Sequence, residues 1–179
     1  MEIPELVIAI LHSEPNGIDG RTAIQKLGYF ASVKIKKDMG YGPDFYGPFS
    51  PLVAEQIQNL VGLDFVIESG RRTVRDRIMY SYCLTEDGEE LASRIREEYP
   101  EEFSIISDVV KKCGEIVHYN FNVLSWAAKV HFILEKAGKT MSYEEAIEAG
   151  KLFGWKLDES EIDSAVKLLL ALGLVHKSS

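Results

Sequence analysis

The feature that most constrains the fold is a change in the spacing of apolar residues between positions 65 and 84. Apolar residues recur at helical spacing before and after this stretch. Within it, residues 65–68 and 77–84 alternate as β-strands do, and residues 69–72 read as the start of a hairpin connection. Three helices, a two-stranded hairpin and a further helix are the element order of a winged helix. The sequence therefore predicts a winged-helix domain over residues 1–99.

The helices before the hairpin have recognisable ends. The first is predicted over residues 4–12, and the second over residues 21–36 with Asp19 as its N-cap. Ser50 and Pro51 predict the start of the third helix, as its N-cap and its first helical residue.

A segment rich in proline and glycine separates the second helix from the third. Residues 39–51 contain three prolines, which exclude a helix there. The four aromatic residues in this segment favour a rigid, packed loop. Such a loop is either a ligand or partner site or a simple cover over the junction of the two helices.

Residues 100–179 are predicted to be helical, which makes the whole chain a mainly helical α+β protein. Capping boxes that begin at Ser142 and Asp158 open two of these helices. The apolar run at residues 170–175 resembles the end of a recognition helix with too little chain after it for a wing. A plain helical domain and a degenerate, wingless second winged-helix unit both fit this region.

The charge of the chain is uneven. Its net charge is −8. Residues 1–84 contain nine basic and ten acidic residues, whereas residues 85–179 contain eleven basic and eighteen acidic residues. The acidic second half disfavours general adhesion to nucleic acid. Any contact with DNA must come from a local basic patch in the first half.

Several classes of function lack their motifs. The two cysteines are far apart, the four histidines show no i, i+4 pair, and no glycine-rich phosphate-binding loop occurs. No apolar run approaches the roughly 20 residues of a membrane span, and no secretory signal opens the chain. We therefore expect a cytoplasmic, non-enzymatic protein that uses no metal or cofactor.

The candidate DNA-binding residues lie on the hairpin and on the second and third helices. An arginine-rich hairpin can contact phosphates, although charged residues also occur at ordinary solvated hairpin ends. Exposed amide side chains of the third helix can read adenine edges in a major groove. The candidates are Arg71, Arg72, Arg75 and Arg77 on the hairpin, Gln58 and Asn59 on the third helix, and Arg21 at the start of the second helix.

Several short segments carry a resemblance to known families. Residues 60–66 (LVGLDFV) and 84–88 (LTEDG) resemble small winged-helix transcription regulators. Residues 20–30 (GRTAIQKLGYF), 46–51 (YGPFSP) and 154–157 (GWKL), together with the third helix, resemble the YwgA-like proteins of bacteria and archaea. The leucine-tyrosine-phenylalanine and glycine-proline elements resemble, more distantly, the SocA-like (Panacea) antitoxin domains. The resemblance implies a helical, winged-helix-like protein and, for the distant relatives, neutralisation of a partner. It supplies no catalytic residues.

Two functions follow as expectations. The first is a DNA-binding transcription regulator, and the alternative is a protein-interaction or antitoxin-like adaptor without DNA binding. The first requires a continuous positive face, and the second an acidic or apolar patch. Apolar residues such as Phe121, Trp126 and Phe132 also predict a homodimer through the C-terminal region.

Overall fold

The computed structural model describes residues 1–73 and 76–176. Helices and one small antiparallel sheet make up these residues, which confirms the predicted mainly helical α+β class. The elements are α1 (Ile3–His12), β1 (Ile18–Asp19), α2 (Arg21–Lys34), α3 (Pro51–Gly62), β2 (Val66–Arg72), β3 (Ile78–Leu84), α4 (Glu86–Glu98), α5 (Pro100–Val117), α6 (Phe121–Ala137), α7 (Tyr143–Lys151) and α8 (Glu159–Leu172). No helix in the described part is long and apolar enough to cross a membrane.

Three of the predicted helix starts that rest on side-chain caps are confirmed. The Ser50 hydroxyl accepts a hydrogen bond from the Val53 backbone N–H at 3.1 Å, and Pro51 is the first residue of α3. Ser142 and Asp158 each form a complete capping box at the starts of α7 and α8. Each cap satisfies backbone donors that lack a partner in the first helical turn.

The prediction that Asp19 caps the second helix is wrong. Gly20 occupies the N-cap position with a φ of 90°, a conformation that glycine adopts without steric cost. Asp19 instead lies in β1, which pairs with β3. A strand of two residues has no detectable period, so alternation could not reveal β1.

The hairpin is longer than the sequence predicts. Strand β2 continues through residues 69–72, which were expected to begin the connection, and Arg72 lies opposite Ile78. The strand order is β1-β3-β2, so β2 forms one edge of the sheet. Gly70 has low strand propensity, but pairing with β3 keeps it extended.

Helix α2 lies at the centre of the molecule. Every residue from position 23 to 32 is buried, including the polar Gln25 and Lys26. Helix α2 contacts α1 and α3 of the predicted N-terminal domain, and α5 and α6 of the predicted C-terminal domain. One connected group of buried residues therefore includes parts of both predicted domains.

Candidate binding surfaces

Part of the predicted DNA-binding set meets around the carboxylate of Glu68 on β2. Glu68 accepts hydrogen bonds from the Tyr82 hydroxyl, from the Arg21 guanidinium at 3.0 Å and from the Gln58 amide at 3.3 Å. Arg21 also donates to the Tyr82 oxygen at 2.6 Å and stacks 4.6 Å above the Tyr80 ring. This polar cluster ties the start of α2 and the exposed side of α3 to the hairpin.

The protonation of the cluster follows from these contacts. The hydrogen bond from Tyr82 and the nearby Arg21 hold the pKa of Glu68 below its usual value. Burial and the bond to Glu68 raise the pKa of Tyr82 to about 12. At neutral pH, Glu68 is therefore an anion that offsets the charge of Arg21.

Two other predicted arginines are also paired with acids. Arg71 contacts Asp19 at 2.5 Å, and Arg72 contacts Asp76 at 2.7 Å. Arg77 is exposed and forms no ion pair with the residues that the structure describes. With Glu68 opposite Arg21, the acids nearly balance the bases on this face. Among the described residues, three of the four candidate arginines on this face are therefore paired with acids.

Asn59 does not join the cluster. Asn59 is exposed on α3 beside Gln58, as expected for a polar helix face. Arg75 lies outside the described residues. Helix α3 therefore exposes the side-chain amides of Gln58 and Asn59 to solvent, and the Gln58 amide donates to Glu68.

A second surface is formed by the loop between α2 and α3, residues 39–51. Phe45 and Tyr46 at its tip are 76% and 53% exposed. Their rings contact each other edge to face, with centroids 4.8 Å apart. Large aromatic side chains are usually buried, so two exposed rings side by side indicate a surface that can bind another molecule.

Buried polar side chains of α2 hold this loop in place. The Gln25 side chain accepts from the Ser50 N–H and donates to the Ser50 carbonyl, both at 3.0 Å. Lys26 donates to the Pro48 carbonyl at 2.7 Å. Tyr41 donates to the Gln25 backbone carbonyl at 3.0 Å. The loop is therefore fixed by hydrogen bonds shielded from water, which are costly to break.

The C-terminal helices support the other side of the loop. The Trp155 indole N–H donates to the Asp44 carbonyl at 2.7 Å. Gly47 has a φ of +96°, and a Cβ there would lie 3.0 Å from the Lys129 side chain on α6. Only glycine fits both this backbone conformation and this close approach.

Lys26 is a charged residue in the core of the molecule. Its side chain is 1% exposed. Burial lowers its pKa to about 8, with Asp44 opposing the shift and Lys129 adding a smaller part of it. Helical periodicity alone could not reveal this burial, because it depends on the loop and on α6.

His131 is buried, as expected for a core histidine. Its Nδ1 lies 2.8 Å from the Tyr29 hydroxyl, across α2 and α6. Burial lowers the pKa of His131, so the ring is neutral at pH 7. Within the described part of the chain, no group of three or more His, Cys, Asp or Glu side chains is placed to hold a metal ion.

The apolar residues behind the predicted C-terminal dimer differ in exposure. Phe132 is 5% exposed, Trp126 is half-buried and Phe121 is 52% exposed. Folding therefore covers part of the apolar surface on which that prediction rests.

No protein family matches this chain, and no curated protein shows significant similarity to it. The YwgA-like and SocA-like resemblance stays a prediction.

Proposed function

We propose that this chain is a non-enzymatic adaptor that binds a protein partner through the loop of residues 39–51. The observation that carries the proposal is the pair of exposed rings, Phe45 and Tyr46, on a loop fixed from both sides. Aromatic side chains are enriched among the residues that dominate protein interfaces.

The rigidity of the loop is the second part of the argument. A loop that is already ordered loses little conformational freedom on binding, so more of the contact energy appears as affinity. Gln25 and Lys26 on α2 and Trp155 near α8 all fix the backbone beside the two rings. Hydrogen bonds this deep in the core favour one loop conformation over many.

The proposal includes a winged-helix arrangement for the first 99 residues. In it, α3 takes the place of the recognition helix and β2–β3 forms the wing. The balanced charges around Glu68 then stabilise the wing against α2 and α3. This arrangement keeps the architecture of a DNA-binding module without its positive surface.

We expect loss of the two rings to abolish partner binding without unfolding the protein. Phe45→Ala with Tyr46→Ala should leave the melting temperature unchanged within about 2 °C, since both rings are solvent-exposed. Each interface anchor contributes about 2 kcal/mol, so the affinity should fall by at least about 100-fold. The measurement is affinity capture from the native host, followed by titration of the purified partner.

Leu63→Ala is the matched control, because Leu63 is 66% exposed but lies at the end of α3. It should retain the partner at parental affinity. Equal retention of the same protein by the double variant would remove the loop from the interface and contradict the adaptor proposal.

A DNA-binding regulator is the second candidate. The supporting observation is that Arg21 and Gln58 meet on one face with the hairpin, next to the exposed Asn59. Exposed ion pairs such as Arg71–Asp19 contribute only about 0–1 kcal/mol, so a phosphate can replace the acid.

Selection of duplex DNA on the purified protein separates the two candidates. The adaptor proposal expects no enriched sequence. If a sequence is enriched, alanine at Arg71, Arg72, Arg75 and Arg77 together should weaken its binding. The log–log salt slope should also fall by about 2 to 4, roughly 0.9 for each lost phosphate contact. That result would place the regulator first.

A further inference from the structure

Strand β2 leaves one edge of the sheet open. Among the described residues it pairs with β3 alone, in an unbroken register from Val66–Leu84 to Arg72–Ile78. Prolines and β-bulges usually protect an edge strand from pairing with another strand. Strand β2 contains no proline, and its register with β3 contains no bulge.

Two backbone hydrogen bonds show which groups point outwards. The Thr73 N–H bonds to the Arg77 carbonyl, and the Phe65 carbonyl accepts from the Thr85 N–H. Groups in an antiparallel strand alternate between its two sides, so the odd-numbered residues of β2 face β3. The N–H and C=O groups of Glu68, Gly70 and Arg72 therefore face the open edge.

The sequence of this edge is self-complementary around Gly70. In an antiparallel pair of two β2 strands centred on Gly70, each Glu68 lies directly opposite the Arg72 of the other copy. The two side chains share one face of the sheet, since both have even numbers. Opposite charges at such cross-strand positions stabilise pairing, whereas like charges oppose it.

We propose that a second copy of this chain pairs with β2 in this register, so that the two three-stranded sheets become one. Gly70 lies on the two-fold axis and exchanges both backbone hydrogen bonds with its symmetry mate. Glu68 and Arg72 exchange theirs with each other. This interface does not depend on the proposed partner loop, so either can fail without the other.

The side chains are available for this pairing. Arg72 is 77% exposed, and its contact with Asp76 is a surface ion pair that can exchange at little cost. The hydrogen bonds that Glu68 accepts from Tyr82, Arg21 and Gln58 all end on Oε2. The Glu68 side chain is 19% exposed, and in the proposed pairing Arg72 of the second copy approaches its other oxygen, Oε1, while the polar cluster stays intact.

The test compares two charge reversals by sedimentation equilibrium. Arg72→Glu places two like-charged pairs across the interface and should raise the dimer dissociation constant by at least about tenfold. Arg77→Glu changes the net charge equally but leaves the β2 edge unaltered, so it should dimerise as the parent does. A monomeric parent up to several hundred micromolar, or equal effects of both variants, would overturn the proposal.

Amide hydrogen exchange identifies the interface directly. The amides of Glu68, Gly70 and Arg72 should exchange more slowly as the protein concentration rises. Those of Ile67, Ser69 and Arg71 should be protected at all concentrations, because they already face β3. A dimer that forms through the C-terminal helices would slow no amide of β2 and would equally overturn the proposal.

Discussion

Trp155→Ala is expected to lower the free energy of unfolding by about 3–5 kcal/mol, the largest effect of a single substitution that we predict. Trp155 is 1% exposed and packs against Phe132 and Phe153, with ring centroids 5.8 and 5.0 Å away. Alanine would leave a cavity among these rings. It would also remove the indole donor that bonds to the Asp44 carbonyl. Urea denaturation followed by circular dichroism measures the change.

Trp126→Ala is the matched control, because Trp126 is only half-buried on α6. Its cost should be clearly smaller, at about 1–2 kcal/mol. Trp155→Phe adds a second comparison, since it keeps most of the apolar volume but loses the bond to the loop. If Trp155→Ala costs no more than Trp126→Ala, Trp155 does not anchor the loop to the C-terminal helices.

Replacement of Lys26 by methionine is expected to change how stability depends on pH. The pKa of Lys26 is about 8 in the folded protein, against 10.5 for an ordinary lysine. Between these values the unfolded chain binds more protons than the folded one, so this group makes stability rise with pH. The protein thus carries a penalty of about 3 kcal/mol below pH 8, which disappears above pH 10.5.

The readout is the difference in unfolding free energy between Lys26→Met and the parent at several pH values. From pH 7 to pH 10 this difference should shift by about 2–3 kcal/mol in favour of the parent. Taking the difference cancels the titration of the tyrosines, which both proteins share. The lost bond to Pro48 lowers the stability of the variant similarly at every pH.

Lys129→Met serves as the control for this experiment. Burial also lowers the pKa of Lys129, but Glu161 opposes the shift and the side chain is only half-buried. Its difference curve should therefore be much flatter. A flat curve for Lys26→Met would show that the Lys26 ammonium reaches water, and the loop would lose one of its buried attachments.

The candidate surfaces differ in how far the sequence reveals them. The sequence predicts Arg21, Gln58 and the hairpin arginines as one site, and the structure does bring Arg21 and Gln58 together. The acidic residues that pair with these arginines could not be identified from the sequence. Asp19 is 52 residues from Arg71 along the chain, and its role as a partner depends on the pairing of β1 with β3. Charge counted along the sequence therefore could not show whether the face is positive.

The sequence by itself determined the features that depend on near neighbours in the chain. The Ser50, Ser142 and Asp158 caps each bond to a backbone N–H three residues away, so their residue types alone specify the helix starts. The alternation of apolar and polar residues, also a pattern among near neighbours in the chain, predicted β3. The tertiary structure decided the burial of Gln25 and Lys26, which bond to Ser50 and Pro48 more than 20 residues further on. Helical periodicity shows which side of a helix is apolar, but only packing of the loop, α5 and α6 around α2 determines which polar residues lose contact with water.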